Sequence, residues 1–378
     1  MKPLIKFLGI NNVADEERLT PGEMTEATDI DIGHRDEILS RRGRTRLVAG
    51  AAHSVFEAPF GILAVVDNDL ILYDAEGTEL RTVYETLGYT RTWYVLLPDG
   101  RVGFSNGLIN GLCTATATQP WGIDAPIDAG EGIPGDTPYQ IAYVRLSDGR
   151  EGPPIYGTPI DTAQAITNLP SLAGFKINVY FAPHGEVAFL AGSTLTETFL
   201  YDGLPTGLGV PTDTYGLAKP PIGTQMAQWG SRTLIVDNNV LWATRPHQPE
   251  LIDMTRDFLQ FERDITLVYG NDAGIFVGDE RQLLFLAGQT FEALDHRTVQ
   301  PGLCVLGSVV EIDTAALPSD LADAPRAAIA IVDRTITMLT AGGTAKSLTE
   351  GRYETDVTEV YASTRTRDGV LQYIAVPA

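Results

Sequence analysis

Residues 61–74 read GILAVVDNDLILYD: an aliphatic run, a polar tip at Asp67-Asn68, and a second apolar run ending in Tyr73. Apolar, β-branched residues on either side of a two-residue Asp/Asn turn are the pattern of a β-hairpin. The same form returns at TWYVLLPDGRVGFS (92–105), RTLIVDNNVLWAT (232–244), GIFVGDERQLLFLAG (274–288) and AIAIVDRTITMLTAGG (328–343). Between these runs 38 Gly and 23 Pro interrupt the chain too often for long helices. Short helical stretches are expected only around 19–28 and 316–324. The fold class expected is all-β. A repeated hairpin that cannot bury its own face requires stacked neighbours, and a closed row of such units is a β-propeller. The number of hairpins predicts an irregular propeller of roughly five to seven blades.

Residues 136–205 break the series. YQIAYVRLSDGREGPP (139–154) is a long strand with an Asp148-Gly149 turn, and KINVYFAPHGEVAFLAG (176–192) and ETFLYDGLP (197–205) add alternating strands. About 70 residues of this kind predict an inserted β-sandwich. The expected organisation is an N-terminal arm and first propeller part (1–135), the insertion (136–205), and the remaining propeller (206–378). The Pro/Gly/Thr-rich stretch 205–223 reads as the returning linker, and the C-terminal strand is placed to close with the N-terminal region.

The chain carries 27 basic and 49 acidic residues, a formal charge of −22. So negative a surface repels nucleic acid and anionic membranes at long range. Cys113 and Cys304, the only cysteines, sit among apolar neighbours and read as buried small hydrophobes. They supply neither a zinc site nor a disulfide framework. No apolar run reaches signal-peptide or membrane-span length, so the reading is a soluble protein of a reducing compartment.

Catalytic, metal and cofactor motifs are not found: there is no HExxH, GxSxG or Walker loop. His34 lies near Asp29, Asp31, Asp36 and Glu37, but without the register of an EF-hand. Asp67, Asp69, Asp237, Asp272, Asp279, Glu280 and Asp333 are the carboxylates from which a glycosidase pair could be drawn. Each falls at a hairpin tip, where Asp is favoured for bonding its own backbone. Trp93, Trp121, Trp229 and Trp242 could stack on sugars, yet lie in strand patterns where aromatics are usually core. In ATDIDIGHRDEILSRRGRTRL (27–47), the run 27–33 alternates as a half-buried strand and Ile38-Leu39 begin its return. Arg41, Arg42, Arg44 and Arg46 lack interleaved aromatics and read as subunit-contact residues rather than a nucleic-acid site.

Three phrases carry a family resemblance. The first (9–48) contains Gly9, Asn11, Asn12, Leu19, Gly22, Glu23, Ala27, Asp29, Asp31, Leu39, Arg41, Arg42 and Gly43. The second is DNNVLWATRPHQPELIDMTRDFLQFERDITLVYGNDAGIFVGDERQLLFLAG (237–288), and the third AKSLTEGRYETDVTEVYASTRTRDGVLQYIAV (345–376). In this order they resemble β-propeller virion proteins of tailed bacteriophages, of the tail nozzle or hub kind. The DGREGPP turn resembles fibronectin type III-like modules inserted in such proteins. Thr28 departs from the pattern, where Asn is usual, as do Ile38 and Leu39, which follow Glu37 rather than a Gly. The resemblance implies a non-enzymatic structural subunit of a homo-oligomeric ring, hexameric in short-tailed phages. Such a ring extends the DNA ejection channel below portal and adaptor, or forms a tail-tip equivalent. It implies a location in the virion tail after synthesis in the bacterial cytoplasm, with DNA passing through without specific binding. The alternatives are a receptor- or glycan-binding tail protein and a propeller glycosidase.

Overall fold

The computed structural model describes residues 7–27, 30–32, 38–40, 46–132, 137–157, 165–182, 187–200, 209–313, 326–367 and 370–378. Among these the structure is all-β, with 3₁₀ turns at Glu16–Arg18 and Phe291–Ala293 and no α-helix. The short helix expected at 19–28 is not formed. There Glu23–Met24 pairs in parallel with Gly9–Ile10, and Gly22 takes a φ of 108° that a helix would not accept. The stretch 316–324 lies outside the described residues. The chain divides into a larger unit, Met1–Thr118, Ile222–Leu241 and Leu259–Ala378, and a smaller one, Gln119–Pro221 and Trp242–Phe258.

The hairpins of the larger unit grow into four-stranded antiparallel meanders. The first runs through Ala52–Ala58, Gly61–Val66, Asp69–Tyr73 and Glu79–Tyr84, and the second through Trp93–Leu96, Val102–Ser105, Asn110–Cys113 and Thr118–Gln119. A third opens with Met226–Trp229 and Arg232–Asp237. The fourth spans Leu267–Asn271 to Asp295–Pro301, the fifth Val310–Asp313 to Ala345–Ser347, and the hairpin Val360–Arg367 with Val370–Pro377 follows. Alternation buries both faces of each sheet. Leu63, Val65, Leu70 and Leu72 of the first pack on Val102, Phe104 and Cys113 of the second. On the opposite face Ala64, Val66 and Tyr73 meet Val48. Phe276, Leu283 and Phe285 of the fourth likewise meet Ala328, Ala330 and Leu339 of the fifth.

The leading strands stand side by side: Ala52–Ala58 by Trp93–Leu96, that strand by Met226–Trp229, and Met226–Trp229 by Leu267–Asn271. Leu267–Asn271 touches Arg326–Val332, and Val310–Asp313 touches Val360–Arg367. Face-to-face meanders with their leading strands inward are the architecture of an irregular β-propeller. Turn chemistry sets the hairpin registers. Asp67 and Asn68 (φ 48° and 88°) and Asp333 and Arg334 (φ 48° and 66°) hold the paired left-handed conformations of a tight twisted turn.

In the smaller unit four strands lie in the order Ile155–Gly157, Tyr139–Arg145, Phe175–Phe181 and Phe189–Thr194. A second layer holds Ala165–Ile166 paired with Phe199–Leu200. Tyr139, Ile141, Tyr143, Ile177, Val179 and Phe181 point from the sheet onto Ile166, Leu169 and Phe199, which makes a small sandwich core. Within the stretch expected as a linker, residues 210–212 run along this sheet. Leu190 N–H donates to the Val210 carbonyl, and Thr212 N–H to that of Ala188.

Candidate functional site

Of the arginines singled out as subunit-contact residues, Arg41, Arg42 and Arg44 lie outside the described residues, as do His34, Asp29, Asp36 and Glu37. Arg46 is exposed, and its guanidinium donates to the Val48 and Gly50 carbonyls at 2.9 and 2.6 Å. It fastens the chain entering the first sheet.

Several candidate carboxylates prove to be turn residues. Asp67 Oδ1 accepts the Ala51 N–H at 3.0 Å, and Asp69 Oδ1 that of Thr86 at 2.7 Å. Asp279, 8% exposed, accepts from the Arg281 and Gln282 N–H groups. Asp237 accepts from Asn238, and Glu280 faces Arg263 and Arg281. Among the tryptophans, Trp121 and Trp229 are buried, Trp121 donating to the Pro249 carbonyl and Trp229 packing on Phe291. Trp93 lies half-buried beneath a guanidinium. Trp242, also half-buried, packs on Phe258 at 5.3 Å, and its indole N–H has no partner.

Two clusters not read from the sequence hold most of the chemistry. The first lies among the leading strands of the larger unit. The Arg91 guanidinium sits 4.0 Å from the Trp93 ring centroid and 4.4 Å from that of Tyr361. It donates to the Val360 carbonyl at 2.7 Å and to Glu359 at 3.4 Å. Burial lowers the Arg91 guanidinium below its ordinary value, while its bond to Glu359 opposes this. Close by, Ser54 holds φ 51° inside a strand, at a register shift between His53 and Phe56. Its hydroxyl accepts the Thr92 N–H at 2.9 Å and lies 2.8 Å from His53 Nδ1. That is a nucleophile-to-base distance, and burial lowers the His53 imidazole below its ordinary value, which favours the neutral form. The rest of a hydrolytic site is not assembled. Among the described residues His53 Nε2 has no carboxylate to orient it, and Ser54 is 5% exposed. The two residues form a strained β-bulge in one strand, and Ser54 reaches from it to the start of the next sheet at Thr92.

The second cluster is in the smaller unit, around the DGREGPP turn. Arg145 and Glu250, whose side chains are 8% and 5% exposed, form a direct ion pair. Asp148 stands 3.2 Å from Arg145, and Arg150 reaches Glu250 at 3.4 Å. One residue on, Glu151 accepts the Tyr180 hydroxyl. An open groove of about 460 Å³ passes Pro153, Pro154, Tyr215 and Met254, with Lys219 Nζ 2.6 Å from Asp124 at its side. Cys113 and Cys304 are buried free thiols, and burial pushes Cys113 up to about 12, which leaves it protonated and unreactive. Among the described residues no three His, Cys, Asp or Glu side chains converge as metal ligands, and no helix is long and apolar enough to cross a membrane.

No family model matches the chain, and no curated protein matches it. Solved structures do. A streptogramin B lyase is 8% identical with a TM-score of 0.34, covering 86% of this chain and 93% of that one. The virginiamycin B lyase of Staphylococcus aureus with quinupristin is 10% identical, TM-score 0.33, covering 86% and 91%. BBS1N in complex with ARL6DN is 9% identical, TM-score 0.33, covering 88% and 94%. Similarity of this size carries no ligand, reaction or partner over to this chain.

Proposed function

We propose that the chain is a structural subunit of a tailed-bacteriophage tail, of the nozzle or hub kind. In this reading it forms a homo-oligomeric ring that continues the DNA channel below portal and adaptor, or its tail-tip equivalent. The observation that carries the proposal is what the opening phrase does. Asn12 donates its amide to the Glu354 carbonyl at 2.8 Å and accepts the Glu354 N–H at 2.9 Å, across 342 residues. Its own N–H donates to the Arg352 carbonyl. Asn11 Oδ1 receives the Val13 and Ala14 N–H groups, and Glu23 receives that of Thr20. Asn12 of the phrase that resembles the virion family thus ties the opening of the larger unit to residues 352–354, while Asn11 and Glu23 hold the local turns that present it. That is the work of a building block. The charge of −22 supports the same reading, because DNA moving past such a surface finds no net cation excess to hold its phosphates.

Light scattering of the purified chain, alone and with co-purified tail proteins, tests this. A ring, or assembly on addition of the neighbours, is expected. A monomer indifferent to them overturns the reading. One observation favours the receptor- or glycan-binding alternative: the half-buried Trp242 beside Phe258, which is 36% exposed, with an unpartnered indole N–H. Tryptophan fluorescence quenched by host polysaccharide, and no longer quenched in Trp242→Phe, would establish it.

A further inference from the structure

Four strands make a meander in the larger unit, but the hairpin Val360–Arg367 with Val370–Pro377 that follows the fifth has two. Register pairs Arg367 with Val370, and the Ala378 N–H donates to the Glu359 carbonyl at 3.2 Å. Between those two points bonded and non-bonded pairs alternate. The N–H and C=O groups of Leu371, Tyr373 and Ala375 therefore point away from the hairpin, and among the described residues no strand receives them. The side chains of the same residues are anchored. Leu371 and Tyr373 pack with Ile329 and Met338, Ala375 with Val305 and Ile331, and the Tyr373 hydroxyl donates to the Ser308 carbonyl at 2.6 Å. The edge is a fixed template, and it is unguarded. Free edges are ordinarily kept apart by charged side chains. VLQYIAVP (370–377) carries none, in a chain that is 20% charged, and Val376 is 54% exposed.

A piece of matching size lies earlier in the chain. Ile30–Ile32 pairs antiparallel with Ile38–Ser40 and with no other described strand. A hairpin alone is marginal in water, whereas two strands added to two make the four of a complete meander. The flanking chain is fixed near the same place: Asn12 is bonded to Glu354, shortly before Val360, and Val48 packs on Ala64 and Val66 of the first meander. Within one chain the hairpin and the edge are nevertheless separate sheets. We propose that the hairpin Ile30–Ile32 with Ile38–Ser40 of one copy adds to the outer edge of Val370–Pro377 in the next, completing the last meander in trans. This rests on the ring reading above and names the contact that builds it. The uncharged edge selects a second copy of this chain as the occupant. Copies carrying −22 each repel least where backbone groups, not charged side chains, make the bonds. Donor hairpin and acceptor edge are different surfaces, so the contact is heterologous and generates a ring when its rotation closes. Arg41, Arg42 and Arg44 follow Ser40 directly and so enter at the seam.

Proline at an outward-facing position removes only the N–H that the added strand would use, and the hairpin keeps its own bonds. Pro377 already occupies such a position. Ala375→Pro is expected to keep the circular dichroism and melting of wild type and to lose assembly in light scattering. Asp31→Pro, which spoils the donor hairpin, should lose it as well. Mixed in equal amounts, the two variants hold one sound edge and one sound hairpin between them, and should form dimers and nothing larger. A mixture that stays monomeric overturns the exchange. Rings formed by Ala375→Pro as readily as by wild type overturn this contact and leave the ring reading standing, whereas a wild-type chain that is monomeric alone and with its tail neighbours overturns both. Hydrogen exchange in the wild type does not depend on a variant folding. The Leu371, Tyr373 and Ala375 amides should exchange freely in dissociated chains and become protected on assembly, with those of Gln372 and Ile374 protected in both. Outward amides already protected in the monomer would mean that the hairpin closes on its own chain, and would overturn the exchange.

Discussion

Arg91 joins parts of the chain 268 residues or more apart, and it does so with contacts that substitute poorly. A planar guanidinium stacks between two rings while its edge donates to a carbonyl, a geometry that a lysine ammonium cannot reproduce. The side chain is 14% exposed, so water does not replace what is lost. Arg91→Ala is expected to lower stability by about 2–3 kcal/mol, from two ring contacts and one charged hydrogen bond. Arg91→Lys should lose roughly half as much. Urea unfolding monitored by tryptophan fluorescence checks both, and equal losses would show that packing volume, not stacking, is what Arg91 supplies. Asn12 acts on the same scale with weaker means. Its two bonds to the Glu354 backbone are solvent-exposed, and Asn12→Ala should cost about 0.5–1 kcal/mol. The sharper readout is proteolysis: the N-terminal segment should be cleaved faster in the variant while the sheets remain resistant.

The elements divide into those written locally and those written by distant contacts. The hairpins were legible because one strand, its turn and the next strand are contiguous. Alternation and Asp67-Asn68 or Asp333-Arg334 say where the chain reverses, and the structure places turns there. The expected helix at 19–28 failed because its polar residues serve other bonds: Glu23 closes back on Thr20 and Asn11, and Gly22 is left-handed. Neither Arg91 with Tyr361 nor Ser54 with Thr92 could be foreseen, since each joins sheets whose order in space no local pattern states. Glu250 is the clearest case. In the sequence it is one acid in a PHQPE loop; in the smaller unit it is the buried partner of Arg145, 105 residues away. Removing Glu250 leaves Arg145, among the described residues, with only the more exposed Asp148 as a carboxylate partner, and losing the buried member of such a pair is costly in a low-dielectric setting. Glu250→Leu should therefore cost about 3–5 kcal/mol and selectively lower the smaller unit's transition in calorimetry, although it adds apolar volume. An Arg145→Met, Glu250→Leu double variant should recover much of that loss. If it recovers none, the pair contributes through specific geometry rather than through the penalty of an under-paired buried charge.

For the whole molecule the deciding quantity is the charge of −22, which sets how any assembly of copies must respond to salt. Two opposite effects meet. Like-charged copies repel at long range, and at low ionic strength that repulsion reaches over tens of ångströms. In the proposed ring Arg41, Arg42 and Arg44 would make short-range pairs with a neighbour's carboxylates, Arg46 being engaged by the Val48 and Gly50 carbonyls, and forked guanidinium bonds at close quarters are screened far less. Salt should remove the repulsion first. In sedimentation the assembled fraction is expected to rise as NaCl goes from about 20 to about 150 mM, where the screening length falls to about 8 Å. It should decline only toward about 1 M, where the pairs themselves are screened. Replacing Arg41, Arg42 and Arg44 with glutamine should abolish that decline and lower the plateau together. Assembly that weakens from the first addition of salt would mean that attraction between charges governs at every range, and that the acidic surfaces of neighbouring copies never face one another.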